Sequence, residues 1–364
     1  MKKILTAILF LSSILCASDH TYYFYNPEQD YGSELRFNPL TLWFNGSFDI
    51  LRNGGHSKDI FNQYYKIGCT NVLENITHPI KNINEYGLND FLHREIFNIT
   101  TDSYQSQFLP NIGLHLIGNG MQYVKLSEWY DYHQYPHPKL LSFATTTTYQ
   151  LFNEIFENGN FVGTNVDPIS DMLIFNPLGM LLFSTTTFKK FFSEKLPLLD
   201  WSLQPYYNPN NRFIENAGQQ FASKLKLGEK SHYSLFFYWG VLSTGGFSYS
   251  LDDERSISFS AGAIVNKVNE NRFRNARYMT PDLDYAFGFF YDKNNSLLLS
   301  SFLTGPKFYN IRVDIYPGLV EFSDFKPGFF LGIGEMDGLQ FGLTCSFLPV
   351  GLLGQFVDSR MEYN

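Results

Sequence analysis

From about residue 198 onward the chain alternates with period two. In Leu283-Asp284-Tyr285-Ala286-Phe287-Gly288-Phe289 the odd positions are large and apolar, and the even ones small or polar. Ile257, Phe259, Ala261, Ala263 and Val265 share one parity, against Ser256, Ser258, Ser260 and Gly262 on the other. Ile311, Val313 and Ile315 alternate with Asn310, Arg312 and Asp314. Leu339, Phe341, Leu343, Cys345 and Phe347 alternate with Gln340, Gly342, Thr344 and Ser346. Successive side chains of a strand point to opposite faces, so this period predicts strands and excludes amphipathic helices there. Lys293-Asn294-Asn295 and Met336-Asp337-Gly338 are turn signals between them.

The second face decides what kind of sheet this is. A soluble sandwich buries its apolar face and covers the other with Lys and Glu; here the other face is Gly, Ser, Asn and Thr. Composition agrees: 18% of residues are aromatic and only 17% charged, against roughly 25% charged in an average soluble domain. Segments of about ten residues with one aromatic-rich and one small or polar face are characteristic of membrane barrels. The expectation is an all-β transmembrane antiparallel β-barrel of about 10–12 strands, with Arg312 and Asp314 facing its lumen. A soluble periplasmic β-sandwich is the alternative.

The N-terminus fits export. Lys2 and Lys3, an apolar run over residues 4–15 and the small tripeptide Cys16-Ala17-Ser18 have the order of a secretory signal peptide, 1–18, leaving 19–364 as a single domain. The expected location is the outer membrane, with membrane lipid and the barrel-assembly machinery as partners. Gln340-x-Gly342-x-x-Cys345-x-Phe347 resembles the outer-membrane assembly signal. A net charge of −8 argues against nucleic acid. No glycine-rich phosphate loop is present, so no cofactor is expected. Cys345 is expected to face lipid, and no disulfide with Cys69 is expected. Leu35-Arg36-Phe37 and Leu42-Trp43-Phe44 suggest further strands over residues 31–51, closing the barrel against the C-terminal series.

Alternation fades over about residues 76–192, predicting a helical insertion in or against the lumen. Pro138 is a good first helical residue, and Leu141, Ala144, Thr148, Leu151 and Ile155 follow at helical spacing. Asp167-Pro168 reads as a cap and a first helical position.

Within roughly residues 70–185, four blocks resemble the DUF3943 family: Thr77-His78-Pro79-Ile80-Lys81 with Tyr86-Gly87 and Asp90-Phe91; residues 111–123 around His115; Phe152-x-Glu154-x-x-Glu157; and a block from Asp167-Pro168 through Asp171 to Asn176-Pro177-Leu178-Gly179. The family's pattern has proline directly after the central histidine, where this chain has Leu116. The resemblance implies an exported bacterial protein of outer-membrane type and transfers no activity.

The candidate polar cluster is His115, Tyr123, Glu154, Glu157, Asp167 and Asp171. Such residues can ligate a metal or do acid–base work. Helix capping and hydrogen bonds to lumen-facing Arg and Tyr account for them better, and no metal or catalytic role is assigned. His133 and His137 are four apart, but Pro136 and Pro138 break the helix that would align them. Ser127 and Ser142, with His115 or His133, are the only basis for a hydrolase acting on lipid or another envelope substrate. The leading expectation is therefore a non-catalytic structural, binding or transport-associated barrel, with its lumen blocked by helices.

Overall fold

The computed structural model describes residues 21–52, 58–97, 109–159, 161–240, 242–273, 276–305, 310–334 and 338–356. The signal peptide, Cys16, Met336, Asp337 and residues 357–364 lie outside them. Two halves follow one another: helices between Gly32 and Lys195, then strands between Leu198 and Phe356. The helical region thus begins well before residue 76 and precedes the sheet instead of interrupting it.

The segment 31–51, expected as strands, is helical. α1 (Gly32–Arg36) and α2 (Pro39–Phe48) contain both of its apolar triplets apart from Phe37. Asn38 explains the outcome. It is extended, its side chain accepts from Leu40 N at 3.1 Å and Thr41 N at 2.9 Å, and Pro39 takes the first helical position. Then come α3 (Tyr65–Thr77), α4 (Pro79–Tyr86) and α5 (Leu88–Phe91), which continues into a π-helical turn, Leu92–Ile96. A π-helical stretch, Leu109–Gly118, runs into α6 (Asn119–Tyr132).

α7 (Pro138–Glu157) starts where the spacing predicts. Its threonine run is accommodated because Thr145, Thr146 and Thr148 donate to the carbonyls of Leu141, Ser142 and Ala144. α8 (Asp167–Ser170), a π-helical turn Asp171–Phe175, α9 (Asn176–Phe183) and α10 (Thr186–Lys190) complete the half. Among the described residues no single helix is long and apolar enough to cross a membrane; only the bent pair Asp167–Phe183 and Thr186–Lys195 passes that test jointly.

The second half is one 13-stranded sheet. Its strands are β1 (Leu198–Asp200), β2 (Tyr206–Asn208), β3 (Phe213–Glu215), β4 (Gln220–Lys226), β5 (Tyr233–Gly240), β6 (Leu242–Ser250), β7 (Arg255–Phe273), β8 (Ala276–Lys293), β9 (Ser296–Thr304), β10 (Ile311–Ile315), β11 (Pro327–Gly334), β12 (Gly338–Cys345) and β13 (Gly351–Phe356). β4 to β13 are neighbours in chain order, β1 pairs with β4, and β13 pairs with β2, which pairs with β3. Only β13–β2 is parallel.

The two ends of that order are linked by register. Leu198 faces Ser223 and Asp200 faces Phe221 across β1–β4, while Tyr206 faces Glu215 and Asn208 faces Phe213 across β2–β3. Between them Trp201 N donates to Gln220 O and Leu203 N to Gly218 O, both at 2.9 Å. The partner offset is constant, so residues 198–208 and 213–226 run as one long hairpin.

The sheet's faces are inverted relative to a water-soluble protein. On β12 Gln340 is 0% exposed and Phe341 46%; on β7 Ser258 is 0% and Phe259 58%. The buried face carries Ser234, Thr244, Ser260, Asp292, Ser300 and Thr344 beside the aromatic cluster of Trp201, Phe236, Tyr238, Phe290, Phe302 and Tyr316. Lys224 Nζ meets Asp292 Oδ1 at 2.5 Å there. Arg312 and Asp314 are buried on it, as expected, 3.8 Å apart, with the guanidinium 4.9 Å from the Phe302 ring centre.

Much of the helical half packs away from this polar face. Phe221, Trp239 and Leu198 share the outward face with exposed Leu225 and Phe237, and they pack on Met121, Val124 and Phe183. The helical region, expected in or against a lumen, thus docks on the apolar face of the first strands, because those strands offer it large apolar side chains. α1 instead closes over one end of the sheet. Gly32, at φ +68, lies against Ser296 and Leu297, and Arg36 donates to the carbonyls of Cys345, Leu348 and Pro349. That contact buries Cys345, which does not face outward as expected; Cys345 and Cys69 are both free thiols.

Candidate functional site: a carboxylate centre in the helical half

Glu154 and Glu157 are one turn apart at the end of α7, on one face of the helix. A loop held by asparagines then turns the chain back. Asn158 Nδ2 donates to Glu154 O at 2.8 Å and to its Oε2 at 3.3 Å. Asn165 Nδ2 donates to Asn158 Oδ1 at 2.5 Å, and Asn165 N to Asn75 Oδ1 of α3 at 2.8 Å. The loop delivers Asp167 to the glutamates: one carboxylate oxygen from each of Glu154, Glu157 and Asp167 lies within 4.8 Å of the others. Asp167 is therefore not the cap expected. Val166 occupies the cap position of α8 and makes no side-chain cap bond, while Asp167 is the first helical residue.

One turn on, Asp171 engages His115. His115 Nε2 lies 3.1 Å from Asp171 Oδ2, and His115 Nδ1 lies 3.1 Å from Asn176 Oδ1. Burial lowers the histidine to about 4. Burial, and then the charges of Asp167, Glu95 and Glu157, raise Asp171. Both shifts favour neutral partners. In those forms Asp171 would donate to Nε2 and Nδ1–H to Asn176 Oδ1, while Ser170 Oγ donates to Asp171 Oδ1 at 3.2 Å. The contact depends on Gly179, where a methyl group would collide with the carbonyl of Leu116 in the π-helical stretch bearing His115.

Glu95 and Asn111 lie near these groups in the same half. Glu95 is buried, and burial followed by the charge of Asp167 raises it to about 8. Asn111 Nδ2 donates to Glu95 O at 2.8 Å. Beneath them Tyr86, Phe91, Val166 and Ile169 form an apolar floor. Three of the π-helical segments carry Glu95, Asn111 with His115, and Asp171. A π turn inserts one residue and re-aims the side chains around it, and such turns recur at functional sites.

Of the six residues expected as a cluster, five converge: His115, Glu154, Glu157, Asp167 and Asp171. Tyr123 does not. It packs on the sheet-facing side of α6, with its hydroxyl bonded to Ser184, because it lies two turns beyond His115 and faces another way. Glu95, Asn111, Asn158, Asn165 and Asn176 were not singled out from sequence, although Asn111 and Asn176 fall within the blocks quoted above. The serine–histidine pairings do not form: Ser142 Oγ donates to Tyr123 O, and exposed His133 stacks on Trp129. The ring nitrogens of His115 are occupied by Asp171 and Asn176 instead.

No family model, curated protein or solved structure matches this chain. The centre's chemistry is read from its own geometry. Glu154, Glu157 and Asp167 lie together, and beside them His115 engages Asp171 and Asn176, with no serine hydroxyl bonded to its ring among the described residues. Such a donor set suits a hard cation or a proton reservoir better than acyl transfer.

Proposed function

We propose that the chain is an exported β-barrel of the outer membrane with a structural or binding role, bearing its helical half on the outside of the wall. The observation that carries this reading is the inverted sheet, with polar side chains buried and Phe237, Phe247, Phe259, Phe287, Leu303, Phe341 and Leu352 exposed. In water such a band would be an aggregation surface; in hydrocarbon it is the favourable arrangement. The strand pairing supports it too. Taking residues 198–208 and 213–226 as single strands, the thirteen elements reduce to eleven, and joining them in a ring would leave no unpaired backbone edge in lipid. An odd count also makes the closing pair parallel, as β13–β2 is.

The aromatic cluster and the Lys224–Asp292 pair lie on the buried face, which in a closed barrel would fill the interior and favours a non-conducting one. The signal peptide, outer-membrane location, contact with lipid and assembly machinery, and kinship with DUF3943 belong to the same proposal. Fractionation of cells expressing the full chain tests it, with gel mobility compared before and after boiling. Recovery in the outer membrane with a heat-modifiable band is the expected result; a periplasmic protein of unchanged mobility would overturn it.

A further inference from the structure

We propose that α9, with the turns on either side of it, is seated in the hydrocarbon of the bilayer beside the first strands of the sheet. The placement rests on the outer-membrane reading of the sheet and extends it to the helical half. The chain carries no charged residue from Met172 to Phe188. Within that run the helix is apolar on both sides. Phe175, Met180 and Phe183 are buried, while Leu173, Leu178 and Leu181 are exposed, Leu181 at 67%. A helix covering a soluble core presents polar side chains on its other side; one that is apolar all round is surrounded by apolar material. α3 and α4 show the ordinary case in the same half, where exposed Glu74 lies 3.4 Å from exposed Lys81.

The surroundings identify that material. On the inner side of the helix Phe183 packs with Leu198, Phe221 and Trp239 on the outward sheet face. The register row of Phe221 runs through Trp239, Ser243 and Ala263 to Tyr285, and the next row holds exposed Phe237 and Phe287. The helix therefore lies beside the band that the outer-membrane reading places in lipid, and its exposed leucines continue that apolar surface. The end of α9 suits a medium poor in water. Ser184 Oγ donates to Met180 O at 2.7 Å and Thr185 Oγ1 to Leu182 O at 2.6 Å, so hydroxyls satisfy carbonyls that a helix end otherwise leaves to solvent. Charge returns only past Phe188. Lys189 Nζ lies 4.8 Å from the ring centre of Tyr23, and Lys190 and Lys195 are exposed; aromatic and basic side chains together suit the headgroup level.

The test uses the full chain reconstituted in vesicles of phosphatidylcholine and phosphatidylglycerol. Hydroxyl-radical oxidation is read residue by residue by mass spectrometry and normalised to the urea-unfolded chain. Leu140 on α7, 63% exposed, is the water-facing reference. Leu178 and Leu181 should lose their oxidation together with Phe247 of the sheet, while Leu140 keeps it. Protection of Phe247 with Leu178 and Leu181 oxidised like Leu140 overturns the inference and leaves the barrel reading standing. Oxidation of all three at the level of Leu140 sinks both. Protection of Leu140 as well also overturns the inference, because the vesicle would then shield the helical half without distinction. Leu181→Asp, a change at an exposed position, should insert into vesicles about tenfold less than wild type, whereas Leu140→Asp should match it. Equal insertion of both variants and wild type overturns the placement of α9.

Discussion

The helical half hides its charged groups behind its own apolar side chains, and its centre is ringed by Tyr86, Phe91, Val166 and Ile169. The sheet half hides polar groups too, but sends its apolar side chains outward, Leu339, Phe341 and Leu343 among them. Both halves therefore bury polar atoms at a cost, and they recover it differently. The helices recover it through directed hydrogen bonds such as Asn165 to Asn158 and Ser170 to Asp171. The sheet's exposed band contributes only if its solvent is hydrocarbon, because the hydrophobic effect rewards removal of apolar surface from water. Membrane residence is thus argued first from one half, and site chemistry from the other.

The largest predicted effect breaks that comparison at the sheet. Phe341→Arg places a charge in the middle of the outward face of β12, between Leu339 and Leu343. In a bilayer this should cost about 2–4 kcal/mol and deplete the heat-modifiable form. On a water-exposed face the same change stays within about 0.5 kcal/mol. Urea unfolding of the assembled protein measures the difference, and a neutral outcome would return the sheet to an ordinary solvated one.

The second effect belongs to the helices and to pH. Burial lowers His115 to about 4, below its unfolded value near 6.5. A depressed pKa means that its stabilising contribution is full above about pH 6.5 and is lost as pH falls towards 4, with a ceiling on the order of 3 kcal/mol. Glu95, raised to about 8, acts in the opposite sense: its contribution is full below its unfolded value near 4.5 and declines as pH rises towards 8. Comparing wild type with His115→Gln isolates the histidine. The gap between their unfolding free energies should shrink from pH 6.5 to 4, and a constant gap would mean that the ring ionises as freely folded as unfolded.

A third effect tests how the centre is positioned. Gly179→Ala puts a methyl group onto the Leu116 carbonyl, where α9 crosses the stretch bearing His115. Overpacking of this kind costs about 1–3 kcal/mol. It should also separate His115 from Asn176, which an imidazole NMR shift would report. Loss of stability without that shift would make Gly179 a packing residue alone.

The sheet was legible because alternation is a local signal: in Leu339, Phe341 and Leu343 each residue announces its face. The centre was half legible. Glu154 with Glu157, and Asp167 with Asp171, stand one turn apart in the chain, so their faces could be read directly. Glu95 comes near enough to feel the charge of Asp167 from a π-helical turn far away in sequence, and no periodicity reports that. The docking side of the helices was illegible for a related reason. Phe221 and Trp239 look like any outward aromatic pair until the helices of another half cover them.

The N-terminal segment misled because its triplets satisfy two periods. Leu42-Trp43-Phe44 is as apolar in a helix as in a strand, and only Asn38-Pro39 discriminates. Asn38→Ala is therefore the smallest and most specific prediction. It removes the acceptor that holds Leu40 N and Thr41 N and should cost about 1 kcal/mol, whereas Asn38→Asp or Asn38→Ser should cost a few tenths at most. A strand has no such requirement at its start, so alanine there would be neutral. The effect should also reach the sheet. α1 and α2 meet at this cap, and Arg36 beside it secures the carbonyls of Cys345, Leu348 and Pro349. Faster amide exchange at the start of β13 in Asn38→Ala would show that the helical half secures the strand whose pairing with β2 joins the two ends of the sheet; unchanged exchange there would make the two halves energetically independent at that point.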